Sequence, residues 1–124
     1  MKENNTRKIG KEKEDLAVSY LEKKGYQILE RNFFMRGGEI DIIASGESTI
    51  IFVEVKYRNT VKHGTPEEAV TYQKQLRIAK TALYYIKKRN IPLESSFRFD
   101  VIVISGTSVS WIMNAFDFPE ALGF

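Results

Sequence analysis

Glu54 and Lys56 stand two residues apart in the run Phe52-Val53-Glu54-Val55-Lys56, and Asp41 stands in a shorter apolar run, Ile40 to Ala44, before an intervening turn. Successive side chains of a strand point to opposite faces, so Glu54 and Lys56 share a face and lie roughly 6–7 Å apart along it. That face opens with Ile50 and Phe52, while Ile51, Val53 and Val55 fill the other, so a buried strand delivers an acid and a base at its far end. Two carboxylates on adjacent strands hold Mg²⁺ through one oxygen each and leave positions for water and phosphate. A lysine facing the same phosphate orients or helps deprotonate the attacking water and offsets charge building on phosphorus. The components match metal-assisted phosphodiester hydrolysis, and they equally match an ordinary ion network at a strand end. A turn centred near Gly46 would set Asp41 against a residue just past Ile51, so that meeting Glu54 requires slippage or a bulge.

Other chemistries are narrowed by composition. The 124 residues contain no cysteine and one histidine, His63, which removes disulfides, thiolate sites and a cysteine nucleophile and leaves zinc without its usual ligands. Any metal is then a hard cation held by oxygen, Mg²⁺, Mn²⁺ or Ca²⁺ before zinc. Hydrophobic residues at 43% and charged residues at 28% fit a globular domain. No apolar run approaches the roughly 18 residues of a spanning helix, and the first ten residues are polar, without a secretion signal, so a cytoplasmic protein with no membrane partner is expected. The net charge of +3 permits a polyanionic partner without demanding one.

The elements that position the three residues follow from periodicity. A flexible basic leader is expected over residues 1–8 and a single domain over 9–124. Leu16, Ala17, Tyr20 and Leu21 recur at helical spacing between Lys11 and Lys24, with Gly25 as a terminal cap. Strands are expected over Tyr26 to Phe34, Ile40 to Ala44 and Thr49 to Tyr57, the last being the strongest because five β-branched or aromatic residues follow without a breaker. Thr65-Pro66-Glu67-Glu68 reads as a helix start. The helix runs to about Lys88, or is split at Val70-Thr71 with Thr71 capping the longer part. Its buried stripe is Leu76, Ala79, Ala82, Leu83 and Ile86. Phe97 to Ile104 is a central strand and Val109 to Met113 an edge strand. The helix between the third and fourth strands makes that pair parallel in an otherwise mixed sheet.

The string Gly38-Glu39-Ile40-Asp41-Ile42-Ile43, then Phe52-Val53-Glu54-Val55-Lys56 with Arg58, closely resembles the YraN-like family of uncharacterised bacterial proteins. The resemblance extends through Glu14, Gly25-Tyr26, Arg31-Asn32, Lys74, Arg77 and Arg98-Phe99-Asp100, and so covers nearly the whole chain. That family looks like a branch of the PD-(D/E)xK superfamily. The resemblance implies a three-layer α/β restriction-endonuclease-like core, αβββαβ, with a mixed central sheet flanked by helices. It makes Asp41 the motif aspartate and Glu54 and Lys56 the (D/E)xK pair. The archaeal Holliday-junction resolvases, which are similar, add a helix-one glutamate to the metal site, and Glu14 occupies the matching place. Glu14 is also explained as a carboxylate near a helix start, favoured by the helix dipole. The motif proline is absent, Glu39-Ile40 standing in its place.

The function expected is a Mg²⁺- or Mn²⁺-dependent endonuclease on DNA or branched DNA, with Asp41, Glu54 and Glu14 as metal ligands and Lys56 completing the catalytic set. Lys74, Arg77, Lys80, Lys87 and Lys88 fall on one arc of the second helix, a phosphate-backbone track or simply a solvated face. Arg36, Arg58 and Lys62 lie near the ends of the catalytic strands. Gln75 is a polar helix residue within reach of the site, Asp100 is expected to stabilise the start of its strand, and His63 is expected at the surface. The alternative is a non-catalytic nucleic-acid-binding module or a subunit of a repair or recombination assembly. Nucleases that cut both strands often pair, so a homodimer is compatible with the first reading.

Overall fold

Segments rich in β-branched and aromatic residues dominate the chain, and they form a single five-stranded sheet. The computed structural model describes residues 2–58 and 70–123, with side chains from residue 8 onward. The elements in chain order are α1 (Lys2–Lys23), β1 (Gln27–Met35), β2 (Gly38–Gly46), β3 (Thr49–Arg58), α2 (Tyr72–Lys88), β4 (Ser96–Ser105) and β5 (Ser108–Phe116), closed by a short 3₁₀ turn at Glu120–Leu122. This order contains the αβββαβ core. The strands lie in the sheet in sequence order, antiparallel except for the β3–β4 pair, which is parallel and joined through α2.

The two helices cover opposite faces. Ala17 and Leu21 of α1 pack on Ile42, Ile51, Val53, Ile102 and Ile104. Ile78, Ala79, Ala82, Tyr85 and Ile86 of α2 pack on Ile43, Phe52, Phe99, Val101 and Val103. β3 therefore contributes side chains to both cores, as its unbroken apolar run requires. Each of the fully buried isoleucines contributes about 1.5–3 kcal/mol by leaving water.

Helix α1 starts at Lys2, so that it takes in the segment read as a leader. Thr71 caps α2 by accepting the Lys74 N–H at 3.2 Å, the split foreseen at Val70-Thr71. The helix start expected at Thr65-Pro66, together with Lys62 and His63, lies outside the described residues.

The β2–β3 turn corrects the sequence reading. Gly46 is the last residue of β2, and the turn is the pair Glu47-Ser48, with φ of 51° and 63°. Two consecutive left-handed residues form the primed turn whose twist suits a two-residue hairpin. Gly46 is bare for a different reason: a Cβ there would meet the Tyr26 ring at 2.6 Å. The register that follows pairs Gly46 with Thr49, Ser45 with Ile50 and so on to Ile42 with Val53. Pairing ends there, and the same count carried one step further brings Asp41 level with Glu54 without slippage.

Beyond Ile42 and Val53 the strands β2 and β3 part. β2 continues toward Gly38 paired only with β1, and β3 continues to Arg58 paired only with β4, where Arg58 stands beside Ser105. Asp41 sits in the fork.

Candidate active site

Because the strands diverge, the Val55 N–H has no ladder partner on the β2 side, and Asp41 Oδ2 accepts it at 2.8 Å. The carboxylate thereby closes the fork and is fixed by it. Glu54, 7% exposed, points to the α2 face. Its Oε1 lies 2.7 Å from Lys74 Nζ and 3.7 Å from Lys56 Nζ. Glu54 and Asp41 line a cleft of about 430 Å³ with the Gly37–Glu39 backbone turn on one side and Lys74, Arg77 and Ile78 on the other.

Close approach of the β1–β2 hairpin to α2 gives the cleft its floor. A Cβ on Gly38 would fall 2.2 Å from Thr81 Oγ1 and 2.9 Å from the Arg77 carbonyl, so only glycine lets the two elements meet there. Thr81, fully buried, gives its hydroxyl proton to that same Arg77 carbonyl at 2.8 Å.

The electrostatics are those of acids crowded together. Burial raises the Asp41 carboxyl to about 7, the charges of Glu54, Glu39 and Glu14 add to the rise, and the Val55 N–H opposes it. Burial, and then the neighbouring Lys74 ammonium, pull Lys56 below its ordinary value. For Lys74 burial acts in the same downward direction, but Glu54 outweighs it and holds that ammonium above the ordinary lysine range. Of the two lysines at Glu54, Lys56 is thus the one that gives up its proton more readily.

Asp41, Glu54 and Lys56 are brought together, and Glu39 lines the same cleft. Glu14 stands near Asp41 from the α1 side of the sheet, where its Oε1 accepts Arg31 Nε at 2.9 Å and Asn32 Nδ2 at 3.0 Å. It flanks a smaller opening in which Asp41 and Val55 also take part, so Asp41 is approached from both faces. Among the described residues no three His, Cys, Asp or Glu side chains converge as a metal-binding group. A hard divalent cation nevertheless suits the pair Asp41 and Glu54: both offer carboxylate oxygens to one cleft, Glu54 is buried, and the Glu54 charge is among the causes that raise Asp41.

Arg77 lines the cleft, Arg36 is exposed in the hairpin turn beside it, and Arg58 ends the strand that carries Glu54 and Lys56. Two helix residues differ from the sequence reading. Gln75 donates its amide N–H to the Val70 carbonyl at 3.1 Å instead of reaching the site. Lys74, read as part of an exposed track, turns inward to Glu54. Its position on the first turn of α2, next to the acid-bearing end of β3, is the signal, but periodicity gives a helix face and not how far a four-carbon stem reaches. Asp100 has the expected structural part, accepting both Arg98 Nε and Nη2 at 2.9 Å, Trp111 Nε1 at 2.8 Å and the Asn114 N–H at 2.9 Å.

Fold and cleft together describe a three-layer α/β/α domain with two acids and two lysines at a strand fork. Residues 13–104 match the model of a family described as "Uncharacterised protein family UPF0102". The chain is 50% identical over 108 residues to a UPF0102 protein of Lachnoclostridium phytofermentans, covering 87% of this chain and 92% of the relative. It is 49% identical to one from Persephonella marina over the same shares. Identity to one from Aliivibrio fischeri is 42% over 117 residues, with 92% and 95% covered. The chain belongs to the UPF0102 family, the YraN-like family of the sequence resemblance. The matched span runs from the middle of α1 to Ile104, so it takes in β1 to β3, α2 and nearly all of β4 and leaves β5 outside.

Proposed function

We propose that the chain is a divalent-cation-dependent endonuclease of the PD-(D/E)xK class, hydrolysing phosphodiester bonds of nucleic acid, with DNA, branched DNA included, as the substrate. The observation that carries this reading is the fork itself, where Asp41 and Glu54 line one cleft with Lys56 on the same strand as Glu54. Asp41 and Glu54 would hold Mg²⁺ or Mn²⁺, which when bound supplies charge neutralisation at the phosphate and acidifies water.

The protein's own groups do the rest. The Val55 N–H fixes one oxygen of Asp41, leaving the other for the cleft. Lys56 orients the attacking water and offsets the charge building on phosphorus as the new P–O bond forms and the old one breaks, the leaving oxygen taking its proton from solvent. Arg77 and Arg36 bind the flanking phosphates, and Arg58 extends the contact beyond the strand end. Glu14, in the opening it shares with Asp41, adds negative charge there and would be the third carboxylate toward the cation, with Arg31 and Asn32 holding its Oε1.

A second reading is favoured by one contact. The 2.7 Å ion pair between Lys74 and Glu54 satisfies the acid without any metal, as in a non-catalytic nucleic-acid-binding module or a subunit of a repair or recombination assembly. Cleavage of labelled branched, single-stranded and duplex DNA in Mn²⁺ and in EDTA separates the two. Metal-dependent cutting that falls at least a hundredfold in Glu54→Gln, with the melting curve kept, is the expected result. Salt-sensitive binding with no cutting by the wild type on any substrate would favour the binding module.

A further inference from the structure

Two ammonium groups stand at one oxygen of Glu54, and they differ in freedom. Lys56 shares β3 with Glu54, where its backbone is paired with Val103 of β4, and its side chain is 25% exposed. Lys74 belongs to the first turn of α2, where Thr71 Oγ1 fixes its backbone, while its side chain is 38% exposed at the mouth of the cleft. The shorter contact, 2.7 Å, belongs to the freer group. A carboxylate as buried as Glu54, beside Asp41, is costly when left without a partner, so some cation must stand there. A divalent ion held by Asp41 and Glu54 would need the side of Glu54 that Lys74 occupies. Once displaced, the Lys74 ammonium turns to the water at the cleft mouth, where an entering anion gains it as a partner, and Arg77 one turn further along α2 lines the same cleft.

We infer that Lys74 is the resident counter-cation of the Asp41–Glu54 pair, which a divalent cation displaces and a phosphate oxygen of the nucleic acid takes up, so that cation and nucleic acid bind cooperatively. The inference rests on the divalent-cation site of the proposed function. Coupling of this kind is reciprocal: the nucleic acid tightens the cation by the factor by which the cation tightens the nucleic acid.

The test is Mn²⁺ binding to the full chain at pH 8, read by electron paramagnetic resonance without and with a saturating phosphorothioate DNA duplex. Wild type, Lys74→Met and Lys74→Arg are compared, with Lys74→Gln as a second neutral variant should the methionine fail to fold. In the wild type the duplex should tighten Mn²⁺ by about tenfold, within the usual range of coupled sites. Lys74→Met alone should bind Mn²⁺ about tenfold more tightly than the wild type and gain less than twofold from the duplex. Its melting temperature should also rise more on adding Mn²⁺, because the ion replaces a missing partner. Lys74→Arg should follow the wild type. Equal Mn²⁺ affinity of wild type and Lys74→Met without DNA would overturn the inference while leaving a metal-dependent nuclease intact. No Mn²⁺ binding by either protein would overturn both.

Discussion

Burial and the neighbouring Glu54 charge raise the Asp41 carboxyl from the usual aspartate value to about 7. The folded chain therefore holds this proton more tightly than the unfolded chain does. Its contribution to stability is fully present below about pH 4 and is lost as pH rises toward 7, which is opposite to the behaviour of a salt-bridged aspartate. Asp41→Asn keeps an oxygen for the Val55 N–H and removes the charge. Urea unfolding should show it more stable than the wild type at pH 8, on the order of a few kcal/mol, with the difference largely gone at pH 4. A constant difference across that range would show that the Asp41 charge is not what destabilises the fold. The types and parity of Asp41, Glu54 and Lys56 were legible in the sequence because alternation assigns a face. What alternation left open was Lys74: helical spacing put it on a track with Arg77 and Lys80, and only the placement of α2 over β3 turns it toward Glu54.

The strands and helices themselves were readable where local chemistry and tertiary packing agree. β3 and β4 lie within one residue of their expected ends, and Thr71 caps α2 as its side chain allows. The β2–β3 turn was misplaced because glycine serves two purposes that look the same in a sequence. Gly46 is bare to make room for the Tyr26 ring, whereas Glu47 and Ser48 turn the chain in a left-handed conformation that neither residue favours. Gly38 shows how sharply such packing constrains the site. Gly38→Ala places a methyl group against Thr81 Oγ1 and the Arg77 carbonyl, so hairpin and helix must separate. Thermal unfolding should register a loss of about 1–3 kcal/mol. Adding Thr81→Ala should recover only part of it, since the carbonyl stays where it is. Full recovery would mean that side chain alone sets the distance between hairpin and helix.

Across the whole molecule the excess charge is small, +3 over 124 residues, so affinity for a polyanion depends on where the cations stand. Arg36 and Arg77 flank the cleft from the hairpin and from α2, and Arg58 extends the same end of the sheet. Replacing Arg36 and Arg77 together by alanine should weaken duplex binding without regard to sequence. In a titration over salt concentration the slope of log K should fall by roughly two, about one for each phosphate that is no longer neutralised. An unchanged slope would place the nucleic acid elsewhere on the surface. No helix of the described residues is long and apolar enough to cross a membrane, and α1 carries charged side chains along its exposed face.

The two-residue turn between β2 and β3 works as a ruler. Asp41 stands six residues before Glu47 and Glu54 six after Ser48, so the acids meet by equal counting from a common origin. Length changes should accordingly be unequally tolerated along the chain. A single residue inserted between Glu47 and Ser48, or deleted there, would leave one acid facing a valine or an isoleucine, whereas the hairpin between β4 and β5 lies outside that measure. Among descendants of one ancestral gene, gaps in this stretch should be purged in pairs or not appear at all.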